Sequence, residues 1–303
     1  MRTLVIGTSG QLGTELRRAL SADGLVITAG RGSDDQVFLD LSRPVDMRAT
    51  LEALNVDRII NAAAYTAVDA AEDDVASAKS VNTDAVDVLA RFCGVRHIPL
   101  IHYSTDYVFD GQRARAYVET DDTNPLSVYG RTKLEGDEAI TNIAGPHLIL
   151  RTGWIYESRG KNFVSTMLRL ASSESPIRVV NDQWGTPNRA RELAKLTQKL
   201  LHQATANGSA WWETHSGLYH VCAPDHTTWF NFAKDIIAKG HSKERAANVK
   251  PIPTREFPTP ARRPAWSVMS AMKLKETFGL ELPGWRSQLN TMLAELQKGS
   301  SCS

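Results

Sequence analysis

"TLVIGTSGQLG", residues 3–13, decides the fold. An apolar run, Leu4 to Ile6, enters three closely spaced glycines, Gly7, Gly10 and Gly13. The following "QLGTELRRALSADG" repeats apolar residues at helical spacing and stops at a glycine. The reading is strand, tight turn, helix. Glycine is required there where φ turns positive, where backbone must approach a diphosphate, and where helix lies close on sheet. The helix N-terminus then offers unpaired N–H groups and a partial positive charge that favour phosphate. A glycine triplet alone is weak; directly after the first strand of a βαβ series it points to a dinucleotide.

The series continues outward from that turn. "LVITAG" (25–30), "DRIINAAA" (57–64), "PLIHYSTDYVF" (99–109) and "HLILRTGWIY" (147–156) read as buried strands. Between them "VDMRATLEALNV" (45–56), "DVASAKSVNTDAVDVLARFCGV" (74–95) and a segment from Tyr129 read as helices. Alternation of this kind predicts an α/β, doubly wound, mostly parallel sheet. The second half is richer in proline. It predicts helices over 161–172, 189–204, 227–240 and 285–299 and short strands over 177–182 and 217–223. "VKPIPTREFPTPARRPAW" (249–266) reads as an extended loop. We therefore expect a cofactor domain over 1–153, to which later segments return, and a smaller substrate lobe over 154–303.

Composition narrows the class. The 35 basic and 34 acidic residues leave a formal charge of +1 without long blocks of either sign, so no nucleic-acid or membrane surface is expected. No apolar run reaches the ~18 residues of a membrane span. The N-terminus lacks the longer apolar region of a signal peptide. Cys93, Cys222 and Cys302 are far apart and match neither a zinc spacing nor a disulfide framework, with Cys302 in a frayed tail. Together these predict a soluble cytoplasmic protein.

The cofactor's ribose is read at the end of the second strand, in "TAGRGSDD" (28–35). No acid stands at the turn, and the Arg31 fork suits a 2′-phosphate, so NADPH is expected, with NADH also possible. Asp40 is the next acid. It either contacts the adenine end or caps the helix near Pro44.

Ligands on such a sheet lie beyond the carboxyl ends of its strands. Two strand ends there carry chemistry: "NAAAYTAVD" (61–69), small enough to admit a flat ring, and "STD" at Ser104, Thr105 and Asp106. Tyr129 and Lys133 project from one helical face at i and i+4. Shifting a tyrosine from ~10 to ~7 takes about 4 kcal/mol, which a neighbouring ammonium and an oxidised nicotinamide could supply. Thr105 could then hold a carbonyl oxygen. Tyr-x-x-x-Lys occurs by chance in many chains; the glycine turn and the Thr105 strand end give it weight.

In order, "GTSGQLG", "NAAAYTAVDAAED", "HYSTDYVFDG", "PLSVYGRTKLEGD", "LRTGWIY", "NDQWGTP" and "PTPARRP" resemble the extended short-chain dehydrogenase/reductases, from the first strand to the last helix. The resemblance implies Thr105, Tyr129 and Lys133 as catalytic residues. It implies cofactor contacts at Gly10, Gln11 and Leu12, at Asp40 and Leu41, and at Ala64, Tyr65 and Thr66. It also implies substrate contacts at Asp106 and Trp154. The implied reaction is NADPH-dependent reduction of the C4 ketone of dTDP-4-dehydro-β-L-rhamnose, so a dTDP-sugar is the expected partner. Related epimerases and dehydratases, and a cofactor-sensing subunit without chemistry, are the competing readings. The dehydratases follow the threonine with Asp-Glu, whereas Asp106 and Tyr107 follow Thr105. Some relatives form homodimers bridged by Mg²⁺ through three glutamates. Glu15 and Glu295 match two positions, but Arg191, beside Glu192, matches the third and speaks against the metal. Arg262 and Arg263 read as an exposed basic loop, or as contacts to a nucleotide diphosphate.

Overall fold

The computed structural model describes residues 1–143, 145–173 and 175–300, so Cys302 lies outside the described residues. Six strands come from the first half: β1 (Arg2–Ile6), β2 (Leu25–Gly30), β3 (Val37–Phe38), β4 (Arg58–Asn61), β5 (Leu100–Thr105) and β6 (His147–Thr152). They and Gly217–His220 form one seven-stranded sheet, ordered 217–220, β6, β5, β4, β1, β2, β3. Every pairing in it is parallel. Near-continuous apolar strands such as β1 and β6 fit burial on both faces. Strand order reverses between β1 and β4, which opens the crevice where such folds take ligands.

Two helical layers cover the sheet. The first helix, α1 (Gln11–Leu20), lies with Ala190–Asn207 on one face, sealing Leu12, Leu16, Leu193 and Leu200 against Val5, Ile101 and Leu150. On the other face Pro44–Ala53, Ala85–Arg96 and Val128–Thr141 cover Leu4, Ile6, Ile59 and Ile149. Each such leucine or isoleucine contributes roughly 1.5–3 kcal/mol by leaving water. A third core joins Phe163–Ala171, Trp229–Gly240 and Trp285–Ser300 through Met167, Phe232, Ile236 and Trp285. Residues 190–220 thus complete the sheet's flank and edge, although they lie beyond residue 154.

Four expected elements differ in detail. The strand expected over 99–109 ends at Thr105, where Asp106–Val108 makes a 3₁₀ turn. The strand expected over 147–156 breaks after Thr152, and Ile155–Tyr156 pairs instead with Asn188–Arg189. Trp154, at the break, has φ 47°. The helix expected over 74–95 contains a π turn at Ser80–Asp84. The loop expected over 249–266 begins as a strand, Val249–Ile252, parallel to Ile177–Val180.

Candidate active site

A cavity of about 1190 Å³ lies beyond the carboxyl ends of β1, β4 and β5. Gly7 turns the chain with φ 88°, and a Cβ there would meet Ala63 at 2.8 Å. A Cβ on Gly13 would meet Gly7 O at 2.1 Å, so α1 can dock this closely only with glycine. Gly13 serves packing and stays behind the wall, while Gly7, Gly10, Gln11 and Leu12 line the cavity. The α1 N-terminus has no side-chain cap. Its open N–H groups and dipole form a cradle that fits a diphosphate.

Arg31, Asp40 and Leu41 line the same end, and Ala64, Tyr65 and Thr66 continue the wall. Asp40 accepts from the N–H and hydroxyl of Ser42, 2.9 and 2.8 Å away. The helix at Pro44 has no side-chain cap, so Asp40 does not serve the capping role. Partial burial raises its pKa, but the Ser42 bonds and the Arg31 and Arg43 charges outweigh that and hold it low. The expectation that no acid stands at the end of β2 is corrected in space. Asp35 folds back so that Oδ2 lies 2.5 Å from where a Cβ on Gly30 would be. It accepts from the Gly32 N–H at 3.1 Å and from the Thr8 hydroxyl. A carboxylate therefore stands against Gly30 and Gly32, from a residue five positions after the end of β2.

The cluster of Thr105, Tyr129 and Lys133 is assembled by the docking of one helix. Ser127 caps Val128–Thr141 by accepting from the Gly130 N–H at 3.1 Å, and Glu72 accepts from the Val128 N–H at 2.8 Å. A Cβ on Gly130 would meet Tyr107 O at 2.2 Å. Glycine there lets the helix touch the Asp106–Val108 turn and brings Tyr129 to Thr105. The π turn fixes the other side: Asn82, fully buried, accepts from the Tyr65 N–H at 2.8 Å and donates to Thr132 Oγ1 at 3.1 Å. Sequence reading passed over Asn82 because nothing in a helical pattern announces an inward polar residue.

Thr105, Asp106, Tyr129 and Lys133 all line the cavity. Burial pushes the Tyr129 phenol up to about 12, helped by the Asp106 and Asp137 charges and opposed by a hydrogen bond with Thr105. The Lys133 amine lies 2.9 Å from His102 Nε2 and donates to Tyr103 O at 2.7 Å. Thr105 donates to Asp106 Oδ1 at 3.2 Å and accepts from the Tyr107 N–H at 3.1 Å. Holding a carbonyl oxygen would require its hydroxyl proton to swing away from Asp106. Burial lifts Asp106 to about 6 despite bonds from Ser267, at 2.5 Å, and Thr105. Only glycine fits at 153, where a Cβ would meet the Asp106 carboxyl at 2.5 Å.

Trp154 lines the cavity with one face already covered. Its indole stacks on Trp229, centroids 3.4 Å apart and planes 4° apart, and its edge rests on Gly185. Trp229 also lines the cavity and was not singled out in the sequence. Arg262 is exposed, but Arg263 is not an exposed basic side chain: it pairs with Asp69 at 2.8 Å beside Tyr107.

Glu15 and Glu295 do converge, but on Arg191, whose Nε lies 2.9 Å from Glu15 and Nη1 2.5 Å from Glu295. Arg189 joins Glu295 and Glu157 in the same network. A guanidinium stands between the two carboxylates, so these residues do not fit a divalent cation. Among the described residues no group of three or more His, Cys, Asp or Glu could hold a metal, and no helix is long and apolar enough to cross a membrane.

Comparison with known proteins follows the same outline. Residues 1–298 match the family model described as RmlD substrate binding domain. The chain is 44% identical to a dTDP-4-dehydrorhamnose reductase of Burkholderia thailandensis, over 98% of this chain and 99% of that one. A Clostridium acetobutylicum structure of the same description superposes with a TM-score of 0.87 at 31% identity, covering 98% of this chain and 100% of that one. One from Bacillus anthracis, solved in complex with NADP, gives 0.86 at 31% identity over 97% and 99%.

Proposed function

We infer function from one premise: the chain belongs to the RmlD substrate-binding-domain family, and it is an NAD(P)H-dependent dTDP-4-dehydrorhamnose reductase. It reduces the C4 ketone of dTDP-4-dehydro-β-L-rhamnose, the final step of dTDP-rhamnose formation. The observation that best supports the site is the meeting of Thr105, Tyr129 and Lys133 in the cavity that also holds the glycine turn.

Gly10, Gln11 and Leu12 would hold the diphosphate of a nicotinamide dinucleotide, which when bound would supply the hydride for the ketone. The protein's own share is orientation and a proton. Tyr129, raised to about 12, keeps its proton throughout the neutral range and is ready to give it to the nascent C4 alkoxide. Lys133, four residues on, is the cation available to the phenolate left behind. Thr105 orients the ketone, and Asp106 limits where its hydroxyl can point. The Trp154–Trp229 stack is a flat, rigid wall suited to a sugar ring. We place the sugar nucleotide between the sheet and the lobe that starts near residue 154. A homodimer would have to form without a bridging metal, because Arg191 holds both glutamates. Two buried thiols, Cys93 and Cys222, each pushed by burial up to about 12, suit a cytoplasmic setting.

Purified protein with NADPH or NADH and the 4-keto sugar nucleotide should consume the reduced cofactor one-for-one with product, read as absorbance loss. Conversion of the sugar without net cofactor consumption would favour an epimerase, and binding without turnover a sensor.

A further inference from the structure

The proposed machinery leaves the buried ring of His102 without a role. His102 lies in β5 with no exposed surface, between Lys133 and Asn61. Its Nε2 is 2.9 Å from Lys133 Nζ and its Nδ1 is 3.1 Å from Asn61 Nδ2. The direction of this chain of contacts follows from its far end. A backbone N–H can only donate, and that of Ala63 donates to Asn61 Oδ1 at 3.1 Å. The Asn61 amide is thereby oriented with its NH₂ toward His102. His102 Nδ1 must accept, so a neutral ring carries its proton on Nε2. That N–H points at Lys133 Nζ, which accepts it only as a neutral amine. The same nitrogen donates to Tyr103 O at 2.7 Å, leaving one N–H free. An ammonium would force the proton to Nδ1, against the Asn61 NH₂.

We propose that His102, held in one tautomer by Asn61, is a positioning residue that sets the protonation equilibrium of Lys133. The proposal rests on the reading of Tyr129 and Lys133 as the acid–base pair. Other groups near Lys133 do not undo it. From its own helix come Tyr129 and Asp137; Asp137 is bonded by Arg151 of β6 at 3.0 Å and Ser104 of β5 at 2.9 Å. From β5 come His102 and the Tyr103 carbonyl, the Tyr103 phenol being bonded to Thr197. Burial brings Lys133 down to about 8, against the Asp137 charge, and burial with the Lys133 charge keeps His102 well below its ordinary range. The amine is therefore poised near the working pH, and the cation that steadies the Tyr129 phenolate is lost as pH rises through that value.

The test uses the full chain labelled with ¹⁵N-histidine. Long-range ¹H–¹⁵N spectra at about pH 9, one unit above the Lys133 value, should show His102 protonated on Nε2. Its signals are those that move in Asn61→Asp, a variant of equal size. Protonation on Nδ1 in the unmodified protein overturns the proposal. In Asn61→Asp the carboxylate only accepts, so Nδ1–H turns to it and a lone pair faces Lys133. The alkaline limb of kcat/KM should then move up by about one pH unit. A limb that stays in place, with the variant folded by circular dichroism, also overturns it. Absence of turnover alongside the Nε2 tautomer would instead strike the assigned reaction and leave the tautomer lock standing.

Discussion

Arg191 Nε lies 2.9 Å from the Glu15 carboxylate, 176 residues away in the chain. The contact ties the first helix, just below the glycine turn, to the Ala190–Asn207 helix across one face of the sheet. Through Glu295 it also reaches the last helix.

Truncating Arg191 should therefore act on stability. Glu15 is buried, and Arg191→Ala would leave its charge without a partner, at about 1–3 kcal/mol. Urea denaturation measures this. Adding EDTA or Mg²⁺ to the unaltered protein should change neither its turnover nor its sedimentation.

Tyr129→Phe keeps the ring and its edge-on contact with Tyr107, 6.1 Å between centroids, and removes the proton donor. The rate constant kcat should fall by about 10²–10⁴-fold while NADPH affinity by fluorescence titration stays within about twofold. A variant that turns over normally would reject Tyr129 as the acid.

Trp229→Ala removes the surface on which Trp154 lies. Trp154 holds φ 47°, a strained conformation for a bulky residue, and the stack keeps its indole in place. KM for the sugar nucleotide should rise about tenfold, with the cofactor's affinity nearly unchanged.

Asp106 gives stability a pH dependence of defined sign. Its carboxyl titrates near 6 when folded and near 3.8 when exposed, so between those values the folded state holds a proton the unfolded state has released. Stability should fall by roughly 2–3 kcal/mol as pH rises across that window and level off above it. Asp106→Asn should remove this component, which urea midpoints at about pH 4 and about pH 7 would reveal.

Much of the site could be read before any coordinates. The glycine turn, the Thr105 strand end and the Tyr129–Lys133 pair all carry local signatures, because turn geometry and helical spacing act over a few residues. Trp229, Asn82 and His102 carry none. Each looks like an ordinary member of its helix or strand, and its partner comes from another element: Trp154, Tyr65 and Lys133 respectively. The Asp35 carboxylate shows the same limit at short range. β2 ends at Gly30 with no acid, and only the folded loop shows that Asp35 reaches that space.

By itself the sequence determined the doubly wound sheet, the glycine turn and the Tyr129–Lys133 spacing, since periodicity and glycine placement are properties of the chain. The tertiary structure decided their chemical states. Burial raised Tyr129 and Asp106 and lowered Lys133, a guanidinium settled between Glu15 and Glu295, and Asn61 chose the face that His102 shows to Lys133. Those outcomes depend on desolvation and on hydrogen-bond partners distant in sequence, which no local pattern encodes.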